Sequence, residues 1–547
     1  MSLERGVLDE KSSTIIDSRP WSNLLLYIRK FLIGRKTSIG LFISATIAVL
    51  LVCLFYLQTM ARWTYAGFPL DDSWIHIEYA RSIYEGRPWE YSPGCPSTGA
   101  TSPLWAILLS LLLFPSSEST FLILQVYFVS AVLFVASTFL AGLIVRDYTN
   151  STPFAHLSIV GFVLTPRGTW LMLSGMESPL FVFLILVGIY YADNPGWKYD
   201  FFMGVIGGLL FLTRPEGILF LFVGLSIRFL STWKRHELNL RRLFSFGGSI
   251  LLACAIALPW IMHCISVTGH PLPDTFYAKS GALSSSSIEI WNEFWAATFR
   301  EFPFTIIGIL GGILLVFKSR SYSWVFLVVM LLVYFVSIPY SVLVNNARYM
   351  TPLIFILTII SIAVVGLLTN RLLIDPPSLK TDLTYSLAAT ILIIIIIVPT
   401  IPTFVRQADF FGNSVKNINE MQVTIGQWIL ENTPPDAKFA IFDAGAIRFF
   451  GNRTVFDLAR LVTPQLNHGN FTILETFEWL RDRGCNYAAS WRDWFIYIAS
   501  ILHIPIKELF RIALTDNVIC AGPEMSVFSI NWNESIIWSN TDTGYFN

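Results

Sequence analysis

Charge is scarce in this chain: 14% of its 547 residues are Asp, Glu, Lys or Arg, where soluble domains carry about 25%. That shortage excludes an ordinary soluble enzyme of this length. Neither sign is in excess, with Lys+Arg 37 against Asp+Glu 37, so nothing in the overall charge favours a nucleic-acid partner and electrostatic reasoning has to be local. Cysteine is sparse as well. Six cysteines with no CxxC make neither a disulfide scaffold nor a zinc spacing, and Cys485 and Cys520 remain open as a pair or as two free thiols. What is abundant is apolar: 54% hydrophobic and 15% aromatic residues with a mean hydropathy of +0.59. The expected class is a polytopic α-helical membrane protein.

From Thr37 to Met60 no residue is charged, which at 1.5 Å per residue is enough to cross a hydrocarbon core of about 30 Å. A polar leader over 1–36 precedes it, so the segment reads as an uncleaved span rather than a signal peptide. Arg19, Arg29, Lys30, Arg35 and Lys36 lie before the span with no acid between Ser18 and Leu70, and the positive-inside bias puts the amino terminus in the cytoplasm. Apolar blocks then recur from 102 to 404, the last over 384–404, for about 11 spans. A second basic cluster, Arg228, Lys234, Arg235, Arg241 and Arg242 against Glu237 alone, marks a cytoplasmic connection. Strict alternation through 102–173 gives the wrong parity for an external Glu177, so a half-helix or one long tilted helix is expected there. The multi-pass protein would sit in the plasma membrane, with membrane lipids as partners.

Beyond Phe404 the composition turns to ordinary soluble content, which marks 405–547 as a separate exported domain. A helical pattern near 414–432, a strand at Lys438–Phe442, a turn and helix, a strand at Thr454–Phe456 and a helix at 473–483 predict a small α/β module.

The chemistry points to the first outer loop, 61–101. Asp71 and Asp72 lie about ten residues past the first span, ahead of a stretch from Trp74 to Tyr84 that suits an amphipathic helix in the membrane interface. An Asp-Asp pair alone is commonly a solvated turn or a helix cap. Here it lies beside bilayer, and Glu177, Arg214, Glu216, Lys279 and Arg348 fall at the expected outer ends of other spans. Ionisable groups at a membrane boundary are costly unless paired or wet, so their convergence on one face predicts a polar cavity. Taken singly, the arginines read as snorkelling anchors and Glu216, after Pro215, as an acid in a first helical turn.

Asp71-Asp72 followed by Tyr79-Ala-Arg-Ser-Ile-Tyr-Glu-Gly86, Ser92-Pro-Gly94 and Ser97-Thr-Gly-Ala-Thr-Ser-Pro-Leu-Trp105 resembles the first outer loop of GT-C superfamily glycosyltransferases. Gly175-Met-Glu-Ser-Pro-Leu180, Thr213-Arg-Pro-Glu-Gly217 and Arg348-Tyr-Met-Thr-Pro352 resemble further blocks of that group. The likeness spans most of the first 400 residues, as a GT-C-like membrane domain over 37–404. It is greatest to the bacterial and archaeal branch of arabinofuranosyltransferases and protein mannosyltransferase-like enzymes, and implies a polyprenyl-phosphate-linked sugar as donor.

Such chemistry needs one base opposite the leaving phosphate. Asp71 is the expected general base, because a carboxylate in a partly desolvated cleft has its pKa raised. Asp72 would orient the sugar or acceptor, or bind a cation. Arg214 and Arg348 are favoured by the resemblance to meet the phosphate, since an Arg fork binds its oxygens bidentately; Lys279 is a candidate by loop position only. Glu177 would fix the acceptor or an arginine. No cofactor is certain, and a divalent cation held by Asp71, Asp72 and His76 stays open. Aromatics Trp74, Trp89, Tyr91 and Trp105 would offer flat faces to sugar rings or act as interfacial anchors. The acceptor is a glycan, lipid or protein hydroxyl. Two rival classes are a secondary transporter, disfavoured because its carboxylates belong near the bilayer midplane, and an inactive membrane-anchored binding or assembly protein.

Overall fold

A computed structural model describes residues 20–112, 119–192, 194, 196–279, 285–319, 322–337, 344–372, 391, 398–469 and 471–532. Most of the expected span 384–404 and the end of 322–343 lie outside the described residues. The first helix runs Pro20–Trp63, so the second half of the polar leader already belongs to it, and its membrane-compatible part is Lys36–Trp63. Five described helices are long and apolar enough to cross a membrane: Lys36–Trp63, Ser119–Thr149, Pro215–Lys234, Leu240–Thr268 and Asn345–Thr369. These apolar helices make the chain an integral membrane protein. Shorter apolar helices, Thr152–Val163 and Ser178–Ala192, pack among them. The stretch 102–173, whose spans do not alternate cleanly in sequence, contains a ten-residue helix Pro103–Leu112 and a 31-residue helix Ser119–Thr149.

Close approach in this bundle relies on small residues. Gly204 and Gly208, four apart on helix Trp197–Thr213, face helix Leu240–Thr268; a Cβ on Gly204 would lie 2.4 Å from the Ser249 carbonyl oxygen. This is the small-xxx-small packing that lets membrane helices touch through backbone. The same helices share a buried ionic knot. Asp200, with no exposed surface, accepts from Arg228 Nε at 2.7 Å and Ser245 Oγ at 2.6 Å and pairs with Arg242 Nη1 at 2.7 Å. Arg228 also donates to the Ala192 and Asn194 carbonyls, so residues read in the sequence as topology markers also close a loop. Elsewhere Pro303 separates two helices, Ile288–Glu301 and Thr305–Ile313, that meet at 109°, as expected where a residue lacks its backbone N–H. Arg167 clamps the corner, its Nε and Nη2 donating to the two carboxylate oxygens of Glu301 at 2.9 and 2.8 Å.

The carboxy-terminal domain begins on a continuous helical path, Ile401–Ile418, a π turn at Asn419–Val423 and Thr424–Asn432; the expected boundary at 404 falls inside its first turn. Strands β1 (Glu90–Ser92) and β2 (Cys95–Pro96) form a small hairpin in the loop that follows helix Asp72–Tyr84. The domain itself is a five-stranded sheet of β3 (Lys438–Ile441), β4 (Thr454–Asp457), β5 (Tyr487–Trp491), β6 (Ile506–Ala513) and β7 (Glu524–Ile530), in the order β4-β3-β5-β7-β6. β3 pairs in parallel with β4 and β5, whereas β7 runs antiparallel to β5 and β6. All six cysteines are free thiols.

Helix Asp72–Tyr84 forms where the amphipathic pattern places it, but it does not lie free in an interface. Ser73 through Ala80 are all buried, because membrane helices cover one side and helix Ala444–Gly451 of the carboxy-terminal domain covers the other. Trp74 packs on Phe449 and Phe450 with ring centroids 4.9 and 4.8 Å apart. Trp74, Tyr91 and Trp105 are therefore core residues rather than sugar platforms, and Trp105 Nε1 donates to the Gly175 carbonyl at 3.1 Å. Half-buried Trp89 packs against Trp260 instead, the two rings tilted at 60°.

Two outcomes follow. Asp200→Leu strands Arg228 and Arg242 without their carboxylate and should cost about 3–5 kcal/mol, read as a lower midpoint in detergent denaturation; an unchanged midpoint contradicts the account. A Cβ at Gly445 would sit 2.0 Å from the Asp71 carbonyl oxygen, so Gly445→Ala should push helix Ala444–Gly451 off the loop and speed proteolytic release of the domain, with cleavage at the wild-type rate as the contrary result.

Candidate active site

Successive side chains on a helix point about 100° apart, whereas residues four apart share a face. Helix Asp72–Tyr84 divides its ionisable groups accordingly. Asp72 and His76 turn to the membrane helices; Asp71 and Glu78 turn to the carboxy-terminal domain.

On the membrane side, Asp72 Oδ2 pairs with Arg348 Nη2 at 2.6 Å. Glu177 sits in the turn before helix Ser178–Ala192, where its Oε1 accepts from Arg214 Nε at 2.6 Å and its Oε2 lies 3.3 Å from His76 Nε2. Arg214, the residue that ends helix Trp197–Thr213, also donates through Nη2 to Ser178 Oγ at 2.8 Å. Its guanidinium lies over the rings of Phe181 and Tyr349 at 5.0 and 5.4 Å, and that of Arg348 lies 4.9 Å from the same Tyr349 ring. Both cations are buried and flank one aromatic ring. Burial works against ionised Glu177, yet Arg214 and then His76 hold its carboxyl well below the usual carboxylate range. His76 Nδ1 is buried with no protein partner.

On the domain side, the Asp71 carboxylate accepts backbone N–H bonds from Gly445 and Ala446, each at 2.7 Å. An anion at a helix N-terminus satisfies donors that the helix cannot use and meets the positive end of its dipole. Burial nevertheless pushes the Asp71 carboxyl well above the carboxylate range, Asp443 and Asp72 add to the rise, and the two N–H bonds oppose it. Glu78 is ion-paired to Arg448 Nη2 at 3.0 Å and to Arg81. Tyr91 Oη donates to the Ala444 carbonyl at 2.7 Å, and Arg448 Nε to the Tyr91 carbonyl at 3.1 Å.

Thus Asp72, His76, Glu177, Arg214 and Arg348 come together on the membrane side, while neighbouring Asp71 is held by the carboxy-terminal domain. Glu216 stands half-exposed on the single turn Pro215–Gly217. Lys279 ends helix Asp274–Lys279, and its side chain lies outside the described residues. The set considered for a divalent cation does not converge: Asp71 is taken by a helix N-terminus, Asp72 by Arg348 and His76 by Glu177. Among the described residues no group of three or more His, Cys, Asp or Glu side chains is arranged to hold a metal ion.

Sequence reasoning missed Asp443, Arg448 and Asp457. Asp443 follows β3 and Asp457 ends β4, adjacent parallel strands, and the carboxyl ends of parallel strands are where α/β sheets place functional groups. That signal was present in Phe442-Asp-Ala-Gly-Ala446. Burial raises Asp443 to about 7, opposed by a hydrogen bond from Gln422 and helped by Asp72 and Asp457; burial raises Asp457 to about 6 against three backbone N–H bonds.

A family model described as a domain of unknown function, DUF8728, matches residues 416–528. No curated protein sequence matches the chain. Among solved structures, ArnT from Cupriavidus metallidurans bound to undecaprenyl phosphate is similar over 88% of this chain and 97% of its own, with 11% identity and a TM-score of 0.56, and its apo state gives the same figures. An Archaeoglobus fulgidus oligosaccharyltransferase in complex with Zn and sulfate is similar over 81% of this chain and 67% of its own, with 14% identity and a TM-score of 0.54. The chain shares its fold with these solved structures, and in it a polytopic helical membrane domain is followed by a small α/β domain.

Proposed function

We propose that the chain is an integral-membrane glycosyltransferase that moves a sugar from a polyprenyl-phosphate carrier to an acceptor hydroxyl with inversion, Asp71 acting as general base. One observation carries the reading: two buried guanidiniums, Arg214 and Arg348, flank the ring of Tyr349 at the ends of membrane helices, beside the Asp71-Asp72 turn. At rest each cation has a carboxylate partner, Glu177 or Asp72. A lipid phosphate competes for those guanidinium forks and is stabilised by them as its charge grows on departure. The ArnT structure bound to undecaprenyl phosphate, which shares this fold, supports that ligand class.

Asp71 suits the base role on two counts. Its oxygens are fixed by Gly445 and Ala446, and each keeps a second lone pair for an acceptor hydroxyl. Its proton affinity is raised by burial, the direction that general-base catalysis near neutral pH requires. A phosphate leaving group needs no general acid.

Helix Trp197–Thr213 supports an orientation for this reading. Lys198 at its start lies on the same side as the basic connection Arg228–Arg242, and Arg214 lies at the far end, about 25 Å away at 1.5 Å per residue. The positive-inside bias then puts the arginines, the outer loop and the carboxy-terminal domain outside, where a glycan, lipid or protein acceptor is met.

The test is sugar transfer from a polyprenyl-phosphate donor by Asp71→Asn and Asp71→Glu proteins of matched membrane abundance. The Asn variant should lose about 10²–10⁴-fold, with the Glu variant between it and wild type. Full transfer by the Asn protein removes Asp71 as base.

A further inference from the structure

Helix Ala444–Gly451 has an aspartate at its N-cap, the residue type that ordinarily accepts from the second or third N–H of its own helix. Asp443 does not do so. Those N–H groups, on Gly445 and Ala446, are taken by Asp71 of the membrane-proximal loop. The Asp443 side chain is turned aside, and its Oδ2 accepts from Gln422 Nε2 at 2.8 Å. Its backbone sits at φ 56°, ψ 76°, a left-handed conformation that costs a non-glycine residue of order 1–3 kcal/mol and persists only where the surroundings impose it. An aspartate is thus displaced from its usual role, held strained, and bound by a glutamine next to the helix N-terminus that the Asp71 carboxylate occupies.

We propose that Asp443 is a positioning residue of the transfer site: a second carboxyl, supplied by the carboxy-terminal domain, that stands against Asp71 and sets how readily Asp71 takes the acceptor proton. The proposal rests on the glycosyl-transfer reading and gives the domain matched over 416–528 a part in the chemistry. In the step concerned, the acceptor oxygen bonds to the anomeric carbon and the bond from that carbon to the phosphate oxygen breaks. The phosphate departs with the electron pair, and the acceptor's proton passes to Asp71 and later to water. Two carboxylates side by side resist both being ionised, so a charge on Asp443 makes Asp71 the stronger base.

The other groups around the pair do not replace Asp443 in this role. Asp72, ion-paired to Arg348, raises Asp71 less than Asp443 does, and Glu78 is ion-paired to Arg81 and Arg448. Tyr91 Oη is bound to the Ala444 carbonyl, the Cys520 thiol lies beside Gln422, and Asp457 is tied to the N–H groups of Ala459, Leu461 and Val462. Asp443 is the neighbour whose carboxylate acts most strongly on Asp71.

Asp443→Asn keeps the shape, tolerates a left-handed backbone and removes the charge. With the neighbouring negative charge gone, ionised Asp71 costs less and its pKa falls, so the acid limb of the kcat/KM profile should move to lower pH by roughly one unit, the coupling at which neighbours titrate as a pair, with donor KM unchanged. Asp443→Gly, which relieves the backbone, should give the same displacement; a purely structural role would leave the limb in place in both variants and overturns the proposal. Infrared titration of full-length protein carrying 13C-labelled aspartate follows the protonated-carboxyl bands without turnover. It should show Asp71 protonating at lower pH in Asp443→Asn, and identical titrations overturn the proposal. Absence of transfer by wild type would remove the glycosyltransferase reading alone, since the infrared result still decides for or against the pair.

Discussion

A single helical step separates Asp71 from Asp72, and much of the architecture follows from the angle that step imposes. Side chains one apart cannot face the same neighbour. Asp72 therefore reaches Arg348 on the membrane domain while Asp71 reaches the N-terminus of a helix more than 370 residues later in the chain. The loop helix becomes the joint between two bodies. Because both its faces are covered, its polar residues need partners on both, and it has them: Glu177 for His76, Arg448 and Arg81 for Glu78, two backbone N–H groups for Asp71.

That pairing also explains how a chain with little charge buries so much of it. An isolated ion taken out of water costs several kcal/mol, so the buried cations Arg214 and Arg348 are each matched by a carboxylate. The Asp200 knot obeys the same rule at the other end of helix Trp197–Thr213. The two clusters differ in surroundings. Asp200 is closed in by three donors and acts as a staple, whereas Asp72 is a quarter exposed and its pairing with Arg348 is open to competition by a stronger anion. A phosphate is such an anion.

Much of this was legible in sequence, for physical reasons that also mark where legibility ended. Long uncharged runs identify membrane helices because bilayer thickness sets their length, and the apolar spacing from Trp74 to Tyr84 identified the loop helix. The same pattern placed that helix in a membrane interface, since periodicity reports which residues are apolar and not what covers them. Its cover, Phe449 and Phe450, lies in another domain. β6 was missed because it is an edge strand whose residues are mostly exposed or half-exposed, leaving a weak alternation. Asp443 was missed because an aspartate before Ala-Gly-Ala reads as an ordinary helix cap, and only the packed structure reveals that another carboxylate has taken the cap position.

The central claim is that the cluster around Arg214 and Arg348 recognises a lipid phosphate through its arginines, and direct binding tests it without turnover. Native mass spectrometry of the purified protein titrated with undecaprenyl phosphate or with the uncharged alcohol undecaprenol compares ligands that differ only in the phosphate. The account predicts one phosphate lipid per chain, little retention of the alcohol, and at least a tenfold loss in Arg348→Lys, whose point charge cannot reproduce the fork. Equal retention of the two lipids, or unchanged phosphate binding by the Lys protein, would contradict it.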